Sequence, residues 1–270
     1  MEQSFSERVR DVDAYKRFVA THRAALLDRR DPGHEAAVEM QSRLARIAFP
    51  EATARRTALA GAAGDALDHP TADRQFDFVH APTAEHEGGI DPNTAGTDPG
   101  GPTNRGLSTK LWRTIRHTAH SAALYPEVRD WPGDVLDLSR EQVRHVLRKE
   151  FYDRLGVDRL ARVPGLLDRA PQLVRQIYDI NVQHGAMHAG RWLQQALNVA
   201  VGANLEVDGL IGRKTRAAVA DAVAQNKLEA VNDMIAADRL SYMKTLGGWS
   251  DRAKGWSARA ESYLSTNRAR

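Results

Sequence analysis

Glu87-Gly88-Gly89, followed by Asp98-Pro99-Gly100-Gly101-Pro102-Thr103-Asn104-Arg105-Gly106, is the stretch from which the fold and the chemistry are read. A carboxylate leads a glycine pair. A second carboxylate and a threonine follow in a loop dominated by glycine and proline. Glycine reaches backbone conformations closed to other residues and lets a ligand approach the main chain. A lone acid beside such a loop points to a cleft in which one proton is transferred. A carboxylic acid walled by apolar groups stays protonated at neutral pH and can donate. Phe76, Phe78 and Ile90 are the candidates for that wall. Glycosidic cleavage needs such an acid to protonate the departing oxygen. On residues alone, an ordinary helix-end glutamate accounts for Glu87, and turn chemistry in Asp-Pro-Gly accounts for Asp98. Glu85 is the neighbouring competitor, but two residues away on a helix it faces another direction.

Around this stretch lies a chain of 270 residues, long enough for a sizeable core and for two or three domains. Charged residues make up 27% and hydrophobic ones 42%, the balance of a globular protein. No apolar run approaches the roughly 20 residues of a membrane helix. The first residues lack the apolar core of a cleaved secretory signal. The expectation is a protein that either works in the cytoplasm or leaves it by a route that uses no cleaved signal. With no cysteine, disulfides, thiol nucleophiles and Cys-ligated zinc are excluded. The net charge is +3, unevenly spread: residues 181–270 carry 12 Lys+Arg against 8 Asp+Glu. That field favours an anionic polymer. It comes with no nucleic-acid motif, so no nucleic-acid partner is expected.

Helical spacing of apolar residues predicts helices over 2–29, 34–48 and 51–67, a front segment with no identifiable chemistry. A short helix ends at Glu87. Residues 88–106 read as loop with a short β-hairpin. Further helices are expected at 108–120, at 139–152 with Ser139 and Gln142 as a capping box, and at 170–199 with Pro171 in its first turn. Asp208-Gly209 marks a tight turn before helices at 213–224 and 227–245, and a short amphipathic tail carries Trp249 and Trp256. His184 and His188, four apart, share a helix face as zinc ligands often do, but the general-base Glu of the zinc-protease motif and a third ligand are missing. His117 and His120 pose the same question. No metal is expected at either pair. The two tryptophans fit one helix face, where they either stack on sugars or pack on the body.

Taken in order, Glu-Gly-Gly, Asp-Pro-Gly-Gly-x-Thr-Asn-x-Gly and Val207-Asp208-Gly209-Leu210-Ile211-Gly212-Arg213-Lys214-Thr215 resemble the N-acetylmuramidases of glycoside hydrolase family 108. The resemblance spans about residues 76–262. Its second part, with Arg191-Trp192-Leu193-Gln194-Gln195-Ala196-Leu197 and Gly255-Trp256-x-x-Arg259, is similar to that family's C-terminal peptidoglycan-binding domain. It implies Glu87 as general acid, with Asp98 and Thr103 completing a constellation like that of phage-type lysozymes. It implies sugar contacts from Gly88, Gly89, Gly101, Asn104, Arg105 and Gln183. Departures stand beside it. Ile90 replaces a tyrosine, Arg105 a usual aromatic and Gln183 a usual asparagine, and the stretch from Glu87 to Asp98 is about two residues longer than typical.

The expectation is a mainly α, lysozyme-like fold with a small β or loop element at the cleft. Residues 1–72 form a helical segment, 73–180 a muramidase domain and 181–265 a helical, peptidoglycan-binding-like domain. The reaction is hydrolysis of the β-1,4 bond between N-acetylmuramic acid and N-acetylglucosamine, by a monomer, without cofactor. Endolysin release through a holin, or injection as an effector, would bring it to the periplasmic wall. A lytic transglycosylase acting on the same bond and a non-catalytic wall-binding protein are the other readings.

Overall fold

The computed structural model describes residues 72–92, 100–118, 125–247 and 249–264, with ten positions between Arg10 and Leu44. The described positions in the predicted front helices 2–29 and 34–48 are helical. Lys16 among them donates to Asp238 Oδ1 at 2.6 Å and to the Met234 carbonyl at 3.3 Å, tying the front segment to the body. The predicted helix at 51–67 lies outside the described residues.

Helix α1, Ala72–Glu87, buries Gln75, Phe76, Val79 and Thr83, one stripe at three- and four-residue spacing. Pro82 sits inside it and has no N–H for the Phe78 carbonyl four residues back. Arg175 compensates. Its Nε donates to that carbonyl at 3.2 Å, and its guanidinium lies 4.0 Å from the Phe78 ring centre. Three two-residue strands follow: β1 Ile90–Asp91, β2 Thr103–Asn104 and β3 Leu107–Ser108, paired antiparallel in that order. The short hairpin expected in 88–106 is thus the start of a three-stranded meander. The β2–β3 turn has positive φ at Arg105 (51°) and Gly106 (84°), the pattern of a tight type I′ hairpin.

Ser108 caps α2, Thr109–His117. Two 3-10 turns, Pro126–Asp130 and Val135–Asp137, lead to α3, Arg140–Leu147, whose Ser139–Gln142 capping box forms as predicted. A π-turn, Arg148–Asp153, extends it before the short helices α4, Val157–Ala161, and α5, Leu166–Arg169. The single helix expected over 170–199 is two: α6, Pro171–His184, and α7, Ala186–Val201. Gly185 separates them at φ 88°, a left-handed value that breaks the helix. Helix α8, Arg213–Ala224, has the predicted bounds, and α9 runs Leu228–Met243. The tail folds as a full helix, α10, Trp249–Glu261.

Among the described residues the architecture is mainly α with one small sheet. Helix α6 is its axis, packed by α1, α7, α9 and the π-turn. One apolar cluster runs from Phe76 and Val79 through Leu173 and Ile177 to Leu193, Ile235 and Ala260. The expected boundary at 180/181 therefore falls inside α6 and inside this shared core. The Asp208-Gly209 turn is held to α7 by Gln194, which donates to Asp208 Oδ1 at 2.6 Å and accepts from the Gly209 N–H at 2.8 Å. Gly190 on α7 meets that turn so closely that an added Cβ would stand 1.9 Å from the Gly209 carbonyl oxygen. Gly209 of the motif and Gln194 therefore serve packing.

Candidate active site

Glu87 is the last residue of α1. Gly88, at φ 70°, turns the chain out of the helix while its N–H still reaches the Ala84 carbonyl at 3.1 Å. The next residue is fastened to the hairpin: the Arg105 N–H donates to the Gly89 carbonyl at 2.8 Å. Gly106 lies directly against the acid. A Cβ there would stand 2.9 Å from Glu87 Cγ and 3.1 Å from Oε2. A glycine is thus required twice, by the positive φ and by the carboxyl it faces.

The other carboxyl oxygen, Oε1, accepts from Arg259 Nη2 of α10 at 2.6 Å. The same guanidinium donates to Asp179 of α6 at 2.8–3.2 Å. Asp179 also accepts from Arg239 of α9 at 2.5 Å and from Thr83 of α1 at 2.9 Å, and it is fully buried. Arg239 reaches Gln183 as well. Burial on its own would raise the Asp179 carboxyl, but the two guanidiniums outweigh it and hold the group far below the usual carboxylate range. With Glu87 ionised the cluster is neutral, two cations against two anions. The acid is thereby anchored by three helices that are distant in sequence. None of Asp179, Arg239 and Thr83 was singled out from the sequence, and Arg259 entered only as part of the tail motif. Asp179 alone left a local trace, as a carboxylate between Ile177 and Ile180.

Thr103 sits in β2, half-buried. Asn104 is fully buried, and its amide donates to the Val135 and Leu138 carbonyls at 2.9 and 3.0 Å, so its side chain holds the hairpin from within. Arg105 bonds the Asn104 amide oxygen at 2.7 Å. Gly88 and Gly89 are exposed, and Gly101 at φ 77° packs on Thr109. Among the described residues, Gln183 joins the site through Arg239. Asp98 lies outside the described residues, as does His120. The apolar wall is a correction: Phe76 is buried 11 residues before Glu87, about 16 Å along the helix, and Phe78 and Ile90 are exposed. The acid's neighbours are charged and main-chain groups instead. His184 and His188 pack with Trp192 and Tyr242, the His188 and Tyr242 rings 4.4 Å apart, and no group of three metal-ligating side chains occurs among the described residues. Trp249 and Trp256 lie 6.2 Å apart, packed against the core.

Residues 81–185 match the family model described as Glycosyl hydrolase 108. That segment is a glycoside hydrolase domain. It contains Glu87, the hairpin and Asp179, and it ends before Arg239 and Arg259, so the ion-pair network is completed from outside it. Among solved structures, that of Brucella abortus SagA superposes with a TM-score of 0.51 at 22% identity, over 73% of this chain and 98% of that one. The likeness is one of fold. No curated protein matches the sequence. No helix among the described residues is long and apolar enough to cross a membrane.

Proposed function

We propose that the protein is a muramidase, hydrolysing the β-1,4 bond between N-acetylmuramic acid and N-acetylglucosamine in peptidoglycan, with Glu87 as general acid. The observation that carries this reading is the place of Glu87 within the matched glycoside hydrolase segment. It ends helix α1, lies against the Gly106 main chain, and has one oxygen fixed by Arg259. A positioned acid is what glycosidic cleavage requires. Arg259 engages Oε1, which leaves Oε2 to carry the proton that passes to the leaving oxygen. The oxocarbenium charge that develops on the sugar is met by a water on the opposite face. Thr103 supplies a hydroxyl for that water, and Asp98 is the carboxylate that the family resemblance suggests beside it. No cofactor enters this chemistry.

The basic C-terminal third, with exposed Arg213 and Lys214 beside the Asp208-Gly209 turn, is proposed to hold the enzyme on the anionic wall. Action in the periplasm after holin-type release or injection, by a monomer, belongs to the same proposal. The test is the product profile of purified sacculi digested by the native protein and by Glu87→Gln. A lytic transglycosylase would reveal itself there by 1,6-anhydro products, and a non-catalytic wall-binding protein by the release of no fragments at all.

A further inference from the structure

The register of the small sheet sorts its six residues into two rows. Asp91 stands opposite Thr103, and Thr103 opposite Ser108; Ile90 stands opposite Asn104, and Asn104 opposite Leu107. Directly opposed residues project to the same face, with Cβ atoms about 4.5–5.5 Å apart. The row containing Asn104 and Leu107 turns into the core at those two residues, both fully buried, while Ile90 at its edge is exposed. The row of Asp91, Thr103 and Ser108 therefore occupies the outer face, where a polymer can lie. Ser108 already accepts from the Leu111 N–H as a helix cap. Asp91 and Thr103 make up the rest of that row.

We propose that Asp91 is the base of the site, the group that takes the proton from the attacking water while Thr103 orients it. The proposal rests on the muramidase reading and gives the base role to Asp91 in place of Asp98, the carboxylate that the family resemblance suggests. Asp91 follows Glu87 by four residues, through Gly88-Gly89 and the clamp from Arg105 to the Gly89 carbonyl. Their Cα atoms can be no more than about 14 Å apart. Two carboxyl groups roughly 6.5–9.5 Å apart, the spacing that admits a water, fall within that reach. Asp179 cannot serve, because it is buried and bonded to two guanidiniums. In the step, the water oxygen bonds to the anomeric carbon as the glycosidic C–O bond breaks. The water's proton goes to Asp91, and the Glu87 proton goes to the departing sugar oxygen.

Asp91 is exposed, so Asp91→Asn and Asp91→Ala should keep the fold, which circular dichroism checks. Both should lower kcat on sacculi by about a hundredfold or more with little change in KM, the range expected for a lost general base. Azide needs no base to attack the anomeric carbon. It should restore turnover to Asp91→Ala and give a glycosyl azide visible by mass spectrometry. Retained activity in Asp91→Asn would overturn the proposal, and so would a loss that azide does not rescue. If the native protein itself releases no sugar fragments, it is the muramidase reading that fails.

Discussion

At the scale of single residues, Glu87 is defined less by what walls it than by what touches it. The sequence led to an apolar pocket built from Phe76, Phe78 and Ile90. The structure offers a main-chain surface at Gly106 and a guanidinium at Arg259. Gly106→Ala isolates the first of these. A side chain there meets the left-handed φ, worth about 1–2 kcal/mol, and it displaces the acid. Stability should drop by about that amount in urea titrations. Turnover should fall on the order of a hundredfold, since a shift of about an ångström in a catalytic group has that effect. Gly133→Ala, where an added Cβ meets nothing within 4 Å, should leave both unchanged. Equal stability and activity in the two variants would show that contact at Gly106 does not position Glu87. Glu87 was legible because its neighbours in sequence are glycines. Arg259, Arg239 and Asp179 were not, because a buried ion-pair network joins residues up to 172 positions apart and leaves no local pattern.

Elements were read well where their ends are written locally. The Ser139–Gln142 capping box and the bounds of α8 follow from side chains within a few positions. The break between α6 and α7 was missed because apolar spacing continues across Gly185, and only the backbone angle there stops the helix. In sequence the Asp208-Gly209 motif resembles part of a peptidoglycan-binding domain. Its described contacts are internal, with Gln194 and Gly190 holding the turn to α7. Gly190→Ala should therefore act on the packing of this element. The new methyl must push the Gly209 main chain away, and overpacking of this kind costs about 1–3 kcal/mol. Gly212→Ala has open space and should melt like the native protein. Indistinguishable melting curves for the two variants would contradict the close approach of α7 and the turn.

Across the whole molecule, one core links the segment carrying Glu87 to the helices carrying Arg239 and Arg259, so stability and site geometry are coupled. This coupling has a pH signature. Burial lowers His80 to about 4, with Asp77 partly opposing, and burial lowers His184 to about 3, with Arg239 adding to it. In the unfolded chain both would titrate near 6.5. Their contribution is therefore fully present above about pH 6.5 and is lost as pH falls through 4 towards 3, because the unfolded state binds protons first. Asp179, held far below its ordinary range, extends the decline below about pH 4. Unfolding free energies measured between pH 7 and pH 4 should fall steadily, and His184→Gln should flatten the slope; an unchanged slope would contradict its burial as the neutral form. The overall class, mainly α with a small sheet beside the acid, was legible from periodicity and glycine placement. The shared core was not, because it depends on which apolar faces meet. The central claim is that Glu87 drives hydrolysis, and mass spectrometry of sacculus digests tests it most directly. The account predicts muropeptides with ordinary reducing N-acetylmuramic acid ends from the native protein and none from a folded Glu87→Gln. Products ending in 1,6-anhydro sugars, or undiminished release by Glu87→Gln, would contradict it.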